Sequence, residues 1–138
     1  MDDERMGRLL GKVRTIAILG AKDTQGQAVD RVGRYLINAG YDIIPVHPAR
    51  KNVWGLTTYP SLTEVPRPVD MIDVFRASEF CLGHARETLS MSPTPKIFWM
   101  QLGIRNNDAA KLLAEHGVVV IEDACLLVEH TRYAMTLR

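Results

Sequence analysis

The stretch from Arg14 to Pro48 restricts the fold more than any other part of this chain, because it reads as strand, glycine turn, helix and strand in quick succession. Thr15-Ile16-Ala17-Ile18-Leu19 is an apolar run too short for a helix, and Gly20-Ala21-Lys22 ends it where the chain must turn. From Gln25 to Asn38 the residues Ala28, Val29, Val32, Leu36 and Ile37 recur at helical spacing, with Asp30, Arg31 and Arg34 between them. Gly40 stops that helix, and Asp42-Ile43-Ile44-Pro45-Val46 follows as a second strand. A βαβ unit of this kind has parallel strands and a right-handed crossover. Its first turn and the helix N-terminus behind it aim backbone N–H groups at one place, which suits a phosphate.

The rest of the chain repeats the alternation. Met1 to Lys12 predicts a short helix on the sheet or a frayed end. Pro48 to Gly55 is a loop, and Ser61-Leu62-Thr63-Glu64 has the capping-box pattern of a short helical turn before Pro66 and Pro68. Val69 to Phe75 is the third strand, in which Asp70 suits the entrance and Asp73 must find a buried partner. A helix from Glu79 to Leu89, a strand from Lys96 to Gln101, a helix from Asp108 to His116 capped by Asn106 or Asn107, a strand from Val118 to Ile121 and a helix from Ala124 to Leu137 complete the chain. This alternation specifies one α/β domain over residues 1–138: a Rossmann-like, doubly wound, parallel five-stranded sheet in a three-layer α/β/α arrangement. The expected strand order is 3-2-1-4-5, with the ligand crevice at the carboxyl ends of strands 1 and 4. Four loops converge there: Gly20 to Gly26, His47 to Lys51, Phe75 to Ala77 and Gln101 to Arg105.

Charge and composition narrow the partners. With 17 Lys and Arg against 16 Asp and Glu the net charge is +1, which argues against a nucleic-acid surface. No run approaches the roughly 20 apolar residues of a membrane span, and the acidic N-terminus lacks a secretion signal, so a cytoplasmic protein is expected. In that setting Cys81 and Cys125 are two thiols. His47, His84, His116 and His130 show no metal spacing with them, and no metal site is expected.

The loops must choose the nucleotide. An NAD site places an acidic residue after the second strand to hold the ribose diol. This chain has His47-Pro48 there, followed by Arg50-Lys51, cations suited to a phosphate on the ribose. That points to CoA, with its 3′-phosphate, or NADP. Ile18-Leu19-Gly20-Ala21, Tyr35-Leu36, Gly40-Tyr41, Pro45-Val46-His47-Pro48 with Gly55 beyond, Asp73-Val74-Phe75-Arg76 and Trp99-Met100-Gln101-Leu102-Gly103 together resemble the small stand-alone CoA-binding proteins. Their fold is that of the CoA-binding domain of the succinyl-CoA synthetase α-subunit. The resemblance runs from about Val13 to His130 and implies a Rossmann-like domain that binds coenzyme A or a short acyl-CoA, with no established reaction. It implies phosphates at the Gly20 turn and the adenosine end near Pro48, Ala49 and Arg50. Lys22 stands where that family usually has a serine.

The candidate binding residues are Gly20, Ala21, Lys22, Pro48, Ala49, Arg50, Phe75, Arg76, Gln101 and Gly103, and none is assigned a catalytic role. Lys22 is read as reaching a pyrophosphate or as a solvated lysine; Arg76 as facing the crevice or pairing with Asp73, Glu79 or a carbonyl. Gln101 would close the crevice floor. His47 reads as a hydrogen-bonded scaffold residue, and Phe98, Trp99 and Met100 read as core. The competing expectations are a small NADP-dependent reductase, an acyl-transfer protein using Cys125, whose helix N-terminus favours a thiolate while Glu122 and Asp123 oppose it, or a protein that kept the fold without the site. Leu126, Leu127 and Met135 on the last helix suit either the sheet or a partner copy, and the reading leans to a homodimer.

Overall fold

The computed structural model describes residues 2–133. Helix α1 spans Asp3–Gly11, with Asp2 accepting from the Arg5 amide at 2.8 Å as its cap, and lays Met6 and Leu10 on the sheet. Strands β1 (Thr15–Leu19), β2 (Asp42–Val46), β3 (Met71–Val74), β4 (Ile97–Met100) and β5 (Val119–Ile121) alternate with α2 (Ala28–Asn38), α3 (Cys81–Ser90), α4 (Asn107–Glu115) and α5 (Leu126–Tyr133). Two short 3-10 turns, Val53–Gly55 and Leu62–Glu64, stand in the β2–β3 connection. Helix α2 starts at Ala28 rather than Gln25, because Thr24 to Gln27 is a turn in which the Gln27 amide donates to the Thr24 carbonyl. Asn106 is the cap of α4, accepting from the Ala109 amide at 2.9 Å.

The sheet is wholly parallel and Rossmann-like, with helices on both faces, as its alternating sequence implies. Its order is β2-β1-β3-β4-β5, which corrects the expected 3-2-1-4-5. A right-handed crossover ties the direction of the sideways step to the face on which the connection runs. Helix α2 packs on one face with α1 and α5, where Val29, Val32 and Leu36 meet Ile16, Ile18 and Leu126. The β2–β3 connection starts on that face with Val53 and Trp54 but then crosses to the other, where Leu62 joins Leu19, Val46 and Val74 before β3. A connection on the opposite face steps the opposite way, so β3 returns past β1 instead of extending beyond β2. Pro45 carries the same message, since a residue without an N–H suits an edge strand. The winding therefore reverses between β1 and β3, not between strands 1 and 4.

In this order β3 is central, and Asp73 lies between Ile18 and Trp99 with no exposed surface. The buried partner expected for it does not exist among the described residues: neither carboxyl oxygen has a hydrogen bond. Burial pushes the carboxyl well above the usual carboxylate range and so favours its protonated, neutral form. Asp70 sits at the strand entrance as expected, accepting from the Arg14 and Thr15 amides at 2.9 Å. Leu126 is buried in the core and Leu127 packs against it, which removes them from the anticipated dimer face; Met135 and the end of the expected last helix lie outside the described residues. Among the described residues no helix is long and apolar enough to cross a membrane.

Candidate functional site

Three chain ends meet where the winding reverses. Gly20 has φ +79°, and a Cβ there would lie 2.4 Å from the Phe75 carbonyl oxygen. Only glycine lets the β1 and β3 ends approach so closely. The Gly20 and Ala21 amides donate to the Val46 carbonyl at 3.0 and 3.2 Å, tying β1 to β2 as well. This corrects the picture of a turn whose first amides face a ligand, because a parallel neighbour ending at the same level has already engaged them. The amides of Lys22 to Gly26 donate to nothing among the described residues. Arg31 holds this turn by donating to the Gly26 carbonyl at 2.8 Å.

His47 is a scaffold residue, as its position suggests. Its Nδ1 accepts from the Ala49 and Arg50 amides, both at 3.0 Å, which places the proton on Nε2 in the neutral ring. Its pKa lies below the ordinary value, first through burial and then through the charges of Arg50, Lys22 and Arg76. Three cations from three loops thus bear on one point. Pro48, Ala49, Arg50 and Lys51 are exposed. Arg50 lies 3.7 Å from Asp23, which also accepts weakly from the Trp54 amide at 3.4 Å. Arg76 makes neither the Asp73 nor the Glu79 pairing; its guanidinium stacks on the Phe80 ring at 4.7 Å, and neither it nor Lys22 has an ion-pair partner among the described residues. Phe75 packs against the core beside them.

Trp54 fixes the loop that carries Arg50, a role no spacing in the sequence signals. It sits at φ 53°, donates from Nε1 to the buried Asp30 carboxylate at 2.8 Å, and lies where a Cβ on Gly33 would come within 2.3 Å of its ring. Asp30 also accepts from Arg34 at 2.9 Å. The small residue in the middle of α2 is thus the floor on which this indole rests.

The two predicted residues from the fourth loop do something else. Gln101 is buried and its Oε1 accepts from the Leu126 amide at 3.2 Å, so it caps α5 instead of lying open on a crevice floor. Gly103 donates its amide to Asp123 at 2.6 Å, and Arg105 reaches the same carboxylate at 2.9 Å. The Gly103 amide, then Arg105, hold the Asp123 carboxyl below its usual range. Asn106 donates to the Ser78 carbonyl at 2.9 Å and to Glu122 through its own amide at 3.0 Å. Cys125 is half-buried just before α5, while Cys81 is core and burial pushes its thiol up to about 11.

A cavity of about 180 Å³ opens beside this cluster on the face of the sheet that carries α3. Gly20, Pro48, Pro60, Arg76, His84 and Glu87 are among its lining residues. His84 Nδ1 lies 2.6 Å from the Glu87 carboxylate, and its Nε2 is buried without a partner among the described residues. The sequence carried a signal for this pair in the three-residue spacing on one helix.

The CoA binding domain family matches residues 14–131, and the chain belongs to that family. An uncharacterized Bacillus subtilis protein, YneT, is 36% identical over 122 residues, covering 88% of this chain and 89% of its own length. A solved Thermus thermophilus structure is 36% identical, with a TM-score of 0.90 over 96% of this chain and 99% of that one. A hypothetical protein from Pyrococcus horikoshii is 27% identical, with a TM-score of 0.92 over 97% of this chain and 93% of that one.

Proposed function

We propose that this chain is a one-domain cytoplasmic module that binds coenzyme A or a short acyl-CoA at the carboxyl ends of β1, β2 and β3, without chemistry of its own. The observation that carries this reading is the set of three cations bearing on His47, with Lys22 and Arg76 lacking any carboxylate partner among the described residues. Three like charges in one crevice repel one another, and an anion relieves that cost. In this reading the pyrophosphate lies against Lys22, Arg76 and the unengaged amides from Lys22 to Gly26. Arg50 takes the 3′-phosphate, and Pro48 and Ala49 flank the adenosine. Gly20, Ala21 and Phe75 shape the floor, while Gln101 and Gly103 hold the neighbouring loops. The pantetheine then passes the exposed apolar side chains of Phe80 and Leu102 on its way to solvent. Family membership supports CoA as the ligand, and the lack of an acidic residue directly after β2 disfavours NAD.

The test is isothermal titration with CoA, 3′-dephospho-CoA, NADP and NAD. CoA should bind most tightly and lose affinity without its 3′-phosphate. Arg50→Glu should weaken CoA about tenfold or more while changing 3′-dephospho-CoA less than about twofold, since a charge-assisted phosphate contact is worth about 1.5–3 kcal/mol. Equal losses for the two ligands would overturn the Arg50 assignment, and NADP binding above CoA would overturn the ligand.

A further inference from the structure

Arg50 stands on a strap whose two ends are held in different ways. Residues 48–52 are all exposed, so no core contact fixes them. Behind Arg50 a single ring nitrogen, His47 Nδ1, accepts from the Ala49 and Arg50 amides, which shapes the turn without deciding how it leans over the sheet edge. Ahead of Arg50 the chain closes on itself. The Gly55 amide donates to the Asn52 carbonyl at 2.9 Å, the Leu56 amide to the Val53 carbonyl at 3.0 Å, and the Val53 amide to Thr58 Oγ1 at 3.0 Å. This closed turn docks through Val53, which is buried, and through Trp54, whose Nε1 donates to the buried Asp30 carboxylate on α2 at 2.8 Å. Asn52 and Trp54 both have φ 53°, a left-handed conformation that a side chain as large as an indole rarely adopts. It persists only where the surroundings over-determine it. Here they do: the ring fills the space over Gly33, where a Cβ would lie 2.3 Å from it, and among the described residues Arg34 is the other donor to the carboxylate it meets.

Resting on the CoA reading, we propose that Trp54, docked on Asp30 and Gly33, sets the discrimination in favour of a ligand carrying a 3′-phosphate. Trp54 is a positioning residue that acts through Arg50. With the indole docked, Lys51 alone separates Arg50 from the closed turn, and the guanidinium is presented at a fixed place over the sheet edge. With the indole displaced, Arg50 keeps its charge and loses its place. A charge-assisted contact to a phosphate depends on geometry, so that contact weakens while the general attraction of the crevice for an anion survives. Lys22 and Arg76 stand on other loops, which confines the effect to one phosphate of the ligand.

CoA and 3′-dephospho-CoA differ only in that phosphate, so their affinity ratio isolates the contact. Isothermal titration of the wild-type protein should give a preference for CoA of about tenfold or more. Trp54→Phe removes the Nε1 donor but keeps an aromatic ring and the backbone contact to Asp23. Gly33→Ala displaces the indole with a residue that favours the helix, so it disturbs the strap without weakening α2. Each variant should cut the preference about threefold or more and leave 3′-dephospho-CoA affinity within about twofold, because the interaction lost is the short one to a single phosphate. Since Trp54 acts through Arg50, adding Trp54→Phe to Arg50→Gln should change CoA affinity less than about twofold. Independent losses that add in the double variant, equal losses for the two ligands, or an undiminished preference in both single variants overturn the assignment. CoA binding without a preference for the 3′-phosphate in the wild type also overturns it and leaves the CoA reading standing, whereas no binding of either ligand removes both.

Discussion

The carboxyl edge of the sheet has two halves built from similar loops, and they differ in what their polar groups do. Over β4 and β5 nearly every group has a protein partner: Gly103 and Arg105 on Asp123, the Asn106 amide on Glu122, Gln101 on the start of α5. Over β1, β2 and β3, among the described residues, the cations Lys22 and Arg76 lack ion-pair partners, the amides from Lys22 to Gly26 have no acceptor, and His84 Nε2 has no hydrogen-bond partner. Saturated polar loops brace a fold, while unsaturated ones await something from outside. The edge therefore divides into a braced half and a receptive half, and the division follows the point where the winding reverses.

Gly20 is where that division is most easily broken. Alanine at φ +79°, with its Cβ 2.4 Å from a backbone oxygen of another loop, forces β1 and β3 apart. We expect Gly20→Ala to cost about 3 kcal/mol or more by urea denaturation. A variant as stable as wild type would mean that the receptive half tolerates rearrangement. The next contrast separates the halves cleanly. Arg76→Glu should lower CoA affinity about a hundredfold and leave Tm within about 2 °C, because its contact in the protein is an exposed ring worth about 0.5–1 kcal/mol. Asp123→Ala should do the reverse, lowering Tm with little change in CoA affinity, since it strands the Gly103 amide and Arg105 and leaves alanine at φ 54°. If Asp123→Ala weakens CoA as strongly as Arg76→Glu, the two halves are not distinct.

This division explains what the sequence disclosed. The strand and helix periodicities, the Asn106 cap and the glycine stops are local, and they placed each element within a few residues. The strand order was not local: the β2–β3 connection has no α-helix, and the face it covers depends on Leu62 burying itself beside Val46. Pro45 in mid-strand was the one readable clue that β2 is an edge. That Lys22, Arg50 and Arg76 converge on His47 followed from placing each of them in a loop after a parallel strand. Gln101 and Gly103 were equally prominent, but whether a polar group faces a ligand or a neighbouring loop depends on partners far along the chain, here Leu126 and Asp123. Trp54 escaped notice because its partner, Gly33, is defined by having no side chain.

Asp73 lies under the seam between the halves and gives a pH test of the structure. Its folded pKa is raised, so the native state holds a proton that the unfolded chain releases above about pH 4. Stability from this group is therefore fully present below the unfolded pKa and declines as pH rises toward the folded value. Asp73→Asn removes the titration: its Tm should exceed that of wild type by several degrees at pH 8, and the gap should close near pH 4. A gap independent of pH would show that the carboxyl has a partner or is ionised in the fold.

The smallest effect expected is also the finest test of the receptive half. Among the described residues Asp23 is the carboxylate paired with Arg50, at 3.7 Å with both side chains about 41% exposed. A pair so open contributes little to stability, since solvent screens it and two side chains must be held to form it. It still competes with a phosphate for the same guanidinium, and it places a negative charge beside the proposed site. Asp23→Asn keeps the shape and the weak contact to the Trp54 amide while removing the charge. CoA affinity should rise about two- to fivefold at low salt, with the gain shrinking by 0.5 M salt as the screening length falls to a few ångströms. The gain should be smaller for 3′-dephospho-CoA, because in the proposed site only the 3′-phosphate meets Arg50. A loss of affinity in Asp23→Asn would instead mean that the carboxylate orients Arg50 for its ligand, and that the pair belongs with the braced loops of the other half.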